Sequence, residues 1–141
     1  MRKFEDSLPL QLLRAREATM MFFRPLLNEH SLTEQQWRIL RALFNYPQIE
    51  SKELANHCCI LSPSLTGILK RLEQQGYIVR RKCSEDQRRT LVSLSESARE
   101  LIEGLSPEVE ARYDAFVSRY SEEKLQELMK MLKEVSNIKP N

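Results

Sequence analysis

The chain has 141 residues, enough for one domain with a modest core and too few for two ordinary ones. Hydrophobic residues make up 41% and charged residues 30%, which excludes a disordered chain, and three glycines alongside long periodic stretches favour an α-rich fold. Net charge is only +2, so any nucleic-acid footprint has to come from local clustering. No apolar run approaches the roughly 18 residues of a membrane span, and MRKFEDSLP lacks the apolar centre of a signal peptide. The expected compartment is the cytoplasm, with no membrane partner. Cys58, Cys59 and Cys83 are an odd number in such a compartment, and no disulfide framework is expected.

The first helix is expected from about Ser7 to Asn28. Leu8, Leu12, Ala15, Thr19, Phe22 and Leu26 alternate steps of four and three, a helical stripe. Leu13, Met20, Met21 and Phe23 add apolar surface beyond it, and a helix greasy on more than one side needs more than one partner. Pro25 should kink or shorten the last turn. The next helix opens with a capping box from Thr33 and Gln36, with Leu32 and Trp37 placed as a hydrophobic staple. Ile39, Leu40, Leu43 and Phe44 supply its buried side, and Tyr46-Pro47 ends it.

Two short helices follow. Ser51 is a candidate cap for the first, with Leu54, Ala55 and Cys58 on its buried side. Ser62 is a candidate N-cap for the second, with Pro63 at the first helical position. The gap of about four residues between them is helix-turn-helix spacing. Leu65, Ile68, Leu69 and Leu72 make one apolar face; Pro63, Gly67, Lys70 and Gln74 point the other way, flanked by Ser64, Thr66 and Arg71. Gly67 inside a helix costs roughly 1 kcal/mol against alanine, and close approach of another surface would be a reason for it. Gly76 is placed as the residue just past the helix end.

Tyr77–Val79 and Leu91–Leu94 read as strands around a loop carrying Arg80, Arg81, Lys82, Arg88 and Arg89 against Glu85 and Asp86. A basic hairpin after a helix-turn-helix is a winged helix, and both exposed parts suit phosphate and groove contacts. Ser95 can cap a long helix carrying Leu101, Ile102, Leu105, Val109, Tyr113, Phe116 and Val117, kinked but not broken at Pro107. Ser121 starts a last helix whose Leu125, Leu128, Leu132 and Val135 form a seam. Periodicity alone fits intramolecular packing of these seams as well as a dimer interface.

The order of elements, LTEQQWRIL at 32–40, and Asp86-Gln87-Arg88 followed by Leu91-Val92-Ser93-Leu94-Ser95 resemble the MarR family of bacterial transcription regulators over nearly the whole chain. Ser95 stands where the family usually has Thr. AREA at 15–18, FRP at 23–25, LTEQQWRI at 32–39 and CILSPSLTGIL at 59–69 are most similar to regulators of homoprotocatechuate (4-hydroxyphenylacetate) degradation. The resemblance implies a single mainly α domain over 1–141. Its winged helix-turn-helix DNA-binding lobe would span 32–94, and its dimerisation helices 4–30 and 96–137. A homodimer of this kind would set two recognition helices about 34 Å apart on a pseudo-palindromic operator.

Candidate DNA contacts are Ser62, Ser64, Thr66, Lys70, Arg71 and Gln74 on the recognition helix and Arg88 and Arg89 at the wing tip; the plain alternative is a solvated helix face. The resemblance implies that Arg88 enters a minor groove while Asp86 holds the loop. Arg81 and Lys82 would touch phosphate or solvent. Arg14, Arg16, Glu17, Phe23, His30, Trp37, Arg38 and Arg41 gather cations and aromatics, the chemistry a phenolic acid needs. Arg16 and Trp37 lead as effector ligands, with Phe23, Arg38 and His30 behind them; a core role for Trp37 and solvent or interface roles for the arginines compete. The expected effector is a hydroxyphenylacetate-type acid acting on a repressor.

No metal-ligand spacing, phosphate loop or nucleophile motif is present, so neither a cofactor nor an enzyme is expected. Two alternatives remain: a regulator of the same fold sensing oxidants or metal through cysteine, and a helical interaction module without DNA binding. Redox-sensing members of the family use a cysteine in the first helix, and this chain has none there.

Overall fold

A computed structural model describes residues 1–141. After a short 3₁₀ turn at Phe4–Asp6, the helices are α1 (Leu8–Met20), α2 (Arg24–Glu29), α3 (Glu34–Asn45), α4 (Ser51–Cys58), α5 (Ser62–Gln74), α6 (Glu96–Arg119) and α7 (Glu122–Ser136). Strand β1 (Ile49–Glu50) precedes α4, and β2 (Ile78–Lys82) and β3 (Thr90–Leu94) form the hairpin between α5 and α6. The fold is mainly helical with a small antiparallel wing, the class the sequence implies.

Several ends differ from expectation. The first helical stretch is two helices, interrupted at 21–23. Pro25 is the second residue of α2, where a missing N–H goes unnoticed. Neither Ser51 nor Ser62 is a cap: each is the first helical residue, behind Glu50 and Leu61, and neither helix has a side-chain cap. The capping box does form, with Gln36 N–H donating to Thr33 Oγ1 at 3.0 Å and Thr33 N–H to Gln36 Oε1 at 3.1 Å. That exchange satisfies Gln36, which is buried. Ser95 Oγ accepts from Ala98 N–H at 3.2 Å and opens α6. Helix α6 is continuous through Pro107.

Three helix ends share one motif. After α5, Gly76 (φ +77°) closes the helix, its N–H donating to Glu73 O and Tyr77 N–H to Leu72 O; this is the Schellman pattern. After α4 the same two bonds run from Cys59 to Asn56 and Ile60 to Ala55, and after α2 from Ser31 to Asn28 and Leu32 to Leu27. Cys59 (φ 54°) and Ser31 (φ 55°) therefore hold the left-handed conformation without being glycine.

A third strand, unannounced by the sequence, completes the sheet. β3 lies between β1 and β2, both antiparallel to it, with Ile49 opposite Val92 and Arg80 opposite Val92 on the other side. Two residues before α4 carry no alternation to read, and tertiary pairing alone makes them a strand.

The chain comprises two compact units, residues 26–107 and residues 1–25 with 108–141. The first holds nearly all of the core: Ile39, Leu40 and Leu43 of α3, Leu54 and Cys58 of α4, Leu65, Leu69 and Leu72 of α5, Val92 of β3 and Leu105 of α6 are buried. In the second, Val109 is the only buried residue, and α1 and α7 bury none. Its contacts include two aromatic edges, Phe22 on Phe116 at 5.6 Å and Phe23 on Tyr113 at 4.9 Å between ring centroids. Phe4, Leu8, Leu13, Met21, Met131 and Ile138 stand more than half exposed.

Candidate nucleic-acid interface

Helix α5 presents its outer face as the periodicity requires. Leu65, Leu69 and Leu72 are buried, while Ser62, Pro63, Ser64, Thr66, Gly67, Lys70, Arg71 and Gln74 are exposed. Thr66 Oγ1 donates to Ser62 O at 3.2 Å, so that hydroxyl is spent on its own helix. Ser62, Ser64, Lys70, Arg71 and Gln74 face solvent.

The wing is braced at both ends by ion pairs. At its base, Arg80 of β2 donates from Nη2 to Glu73 Oε1 at 2.9 Å and from Nε to Glu73 Oε2 at 3.3 Å, a forked pair joining the hairpin to α5. The Arg80 hydrogen bond holds the Glu73 carboxyl below its usual pKa, and the same bond raises that of Arg80. At its far end, Arg89 Nη2 lies 2.9 Å from Glu50 Oε2 of β1, a pairing that raises the Arg89 pKa further.

Between these struts the tip closes on itself. Asp86 Oδ1 accepts from the Arg88 backbone N–H at 3.0 Å and from Arg88 Nε at 3.2 Å, with Arg89 N–H donating to Asp86 O and Cys83 N–H to Arg89 O. The backbone bond first, and the guanidinium second, keep the Asp86 carboxyl below its ordinary pKa. Arg88 nonetheless leaves its side chain 91% exposed. Arg81 and Lys82 are exposed beside it. The exposed cations of α5 and the wing are what a phosphate-rich groove would meet. The sequence does not single out Glu50 or Glu73, and Arg80, read from it as a loop cation, lies in β2 and is paired to Glu73. Each strut joins residues that only folding brings together, and one of them depends on a strand the sequence did not announce.

The effector candidates fall in both units. Arg16 and Phe23 belong to residues 1–25. Arg16 Nη1 lies 3.5 Å from Glu17 Oε1, Glu17 also takes Arg24 Nη2 at 2.8 Å, and Phe23 packs on Tyr113. His30, Trp37 and Arg38 belong to residues 26–107, and all three are half-buried. Arg38 Nη1 donates to Cys58 O at 2.9 Å and pins α3 to α4. Cys58 is buried, and burial raises its thiol pKa. Cys59 is exposed and Cys83 half-buried. No group of three or more His, Cys, Asp or Glu could hold a metal ion, and no helix is long and apolar enough to cross a membrane.

This geometry has close relatives. The model of the MarR family matches residues 32–90. The homoprotocatechuate degradative operon repressor of Escherichia coli is 43% identical over 129 residues, covering 92% of this chain and 87% of that protein. The HTH-type transcriptional regulator FarR of Neisseria gonorrhoeae is 46% identical over 132 residues, covering 94% and 90%. The crystal structure of NadR in complex with 4-hydroxyphenylacetate superposes with a TM-score of 0.84 at 43% identity, covering 99% of each chain.

Proposed function

This chain belongs to the MarR family, whose members are transcription regulators and not enzymes, and on that premise we propose that it is a homodimeric repressor of an aromatic-catabolism operon, released from DNA by a hydroxyphenylacetate-type acid. The observation that carries the reading is the braced, cation-bearing wing beside an exposed α5, in a chain similar along nearly its whole length to a repressor of homoprotocatechuate degradation. In this reading residues 32–94 are the DNA-binding lobe, and residues 4–30 and 96–137 supply the dimer interface. The apolar side chains that α1 and α7 leave exposed are the argument for the dimer, since a helix pair that buries nothing needs a second copy to cover it. The site of action is the cytoplasm, where the operator is.

On DNA, α5 enters the major groove with Ser62, Ser64, Thr66, Lys70, Arg71 and Gln74 toward bases and phosphates, while Arg88 reaches the adjacent minor groove and gains from its negative potential. Asp86 shapes the tip that presents Arg88; Arg89 divides its charge between Glu50 and DNA. Arg16 supplies the cation for the effector carboxylate, with Trp37, Phe23, Arg38 and His30 as further ligands. The bound acid favours a dimer geometry that no longer matches the operator, a coupling of about 1–3 kcal/mol.

Calorimetry of the free protein with 4-hydroxyphenylacetate tests the effector half. Wild type should bind it, and 4-ethylphenol, which lacks the carboxylate, should not bind measurably. Arg16→Ala should lose about 2–3 kcal/mol, roughly 30- to 150-fold in affinity, as expected for one charge-assisted pair in a pocket. Normal binding by Arg16→Ala would move the carboxylate site elsewhere. No aromatic acid binding at millimolar concentration would remove the effector class and favour sensing through Cys59 or Cys83.

A further inference from the structure

The leading end of α5 carries, beside the exposed hydroxyls of Ser62 and Ser64, a large apolar side chain in the open. Leu61, the residue just before the helix, is 79% exposed, and its carbonyl is fixed in the first turn by Leu65 N–H at 3.0 Å. Its neighbour Ile60 is buried and supplies the turn's share of the core, so the fold makes no use of the Leu61 side chain. A lone exposed leucine elsewhere needs no explanation, but the N-terminal residues of a recognition helix are those that meet base edges. Pro63 is exposed beside it. One turn on, Thr66 has its hydroxyl donating to its own helix, which leaves a methyl as its other terminal group. The cations Lys70 and Arg71 come only after these.

Gly67 completes the pattern. A Cβ built there meets nothing within 4 Å, so nothing in the chain requires a glycine, although glycine weakens the helix. The space it leaves is open to a surface from outside the chain.

We propose that Leu61 and Thr66 form an apolar reader that packs on the C5-methyl groups of thymines in the major groove, with Gly67 allowing the close approach. Apolar contact with that methyl is how a side chain without donors distinguishes thymine. The proposal rests on the reading of the chain as a DNA-binding regulator and adds a base preference to it. Each half-site then carries a thymine opposite the start of α5, recognised by its methyl and not by hydrogen bonds.

The test uses the full-length protein and the duplex it enriches by repeated selection from a random 24-base-pair library. Each thymine of that duplex is replaced in turn by deoxyuridine, which removes the methyl and keeps every hydrogen-bonding group. Wild type should lose about fourfold in affinity at one thymine per half-site, the worth of one buried methyl. In Leu61→Ala or Thr66→Ser, which keeps the hydroxyl bond, that same replacement should cost nothing further. Gly67→Ala should weaken duplex binding while its Tm stays level or rises. Deoxyuridine penalties identical in wild type and both variants, or enriched half-sites without thymine, overturn the methyl reader and leave the regulator standing. A library with nothing enriched overturns both.

Discussion

At residue scale, Cys59 is an exposed departure from local preference. Its left-handed φ of 54° is one that a residue with a Cβ adopts at a cost of about 1 kcal/mol or more. Cys59→Gly should therefore raise stability by up to about 1 kcal/mol in urea melts with an unchanged m-value; a loss would mean that the thiol makes a contact worth more than the strain. The three cysteines should also separate in reactivity. Cys59 should take iodoacetamide first and Cys83 more slowly, while Cys58, buried with a raised thiol pKa, should react only on unfolding. Trypsin digestion and mass spectrometry read that order directly. This scale is the least legible in the sequence. Gly76 announces its helix end because glycine is the residue for positive φ, whereas Cys59 and Ser31 adopt the same conformation with no chemical sign of it. Ser51 and Ser62 carried the right chemistry one position too late to cap.

At the scale of elements, the wing is a hairpin held by acids from two other elements. Its brace should respond to charge. Glu73→Lys should loosen the base of the hairpin, raise amide exchange along β2 and weaken duplex binding, and pairing it with Arg80→Glu should restore the exchange protection. No recovery in the double variant would deny the strut. The tip has a pH signature. Because Asp86 is depressed in the folded protein, the order it confers is fully present above the usual carboxylate range and is lost only as pH falls through its lowered pKa. Protection of the Arg88 N–H should persist from neutral pH into the ordinary Asp range, and Asp86→Asn should weaken it at all pH values. Arg88→Ala should cost at least about tenfold in duplex affinity without lowering Tm, since its partner on the protein is a single local carboxylate.

Element type was largely legible because the signals were local. The Thr33–Gln36 box, the α5 stripe and the turn of the wing each lie within a few residues. The division of the first helix was not: Phe22 and Leu26 continue the apolar spacing across the break at 21–23, and periodicity alone cannot register a break that keeps phase. β1 and the Glu50–Arg89 and Glu73–Arg80 pairs are set by tertiary contacts, which spacing in sequence does not encode.

At the scale of the whole molecule, the contrast is between a lobe with a filled core and terminal helices with almost none. Residues 26–107 bury leucines from five helices, whereas α1 and α7 bury nothing. Sedimentation should find a dimer at micromolar concentration, and deleting residues 121–141 should lower dimerisation and Tm together, because the same apolar surface serves both. A stable monomer with unchanged Tm would assign that surface another partner. The near-neutral net charge leaves binding to the local cations of α5 and the wing. With about six phosphates neutralised per dimer, log affinity should fall against log salt with a slope near −5.

The most direct test of the whole account is release of a bound duplex by the acid. A fluorescent copy of the library-enriched duplex, saturated with full-length protein, is titrated with 4-hydroxyphenylacetate and, separately, with 4-ethylphenol at fixed salt. The acid should lower duplex affinity by about five- to 150-fold, the range of a typical coupling between two sites, and the carboxylate-free analogue should leave the complex intact. A duplex that stays bound at millimolar acid, or one released equally by both compounds, contradicts a carboxylate-sensing repressor.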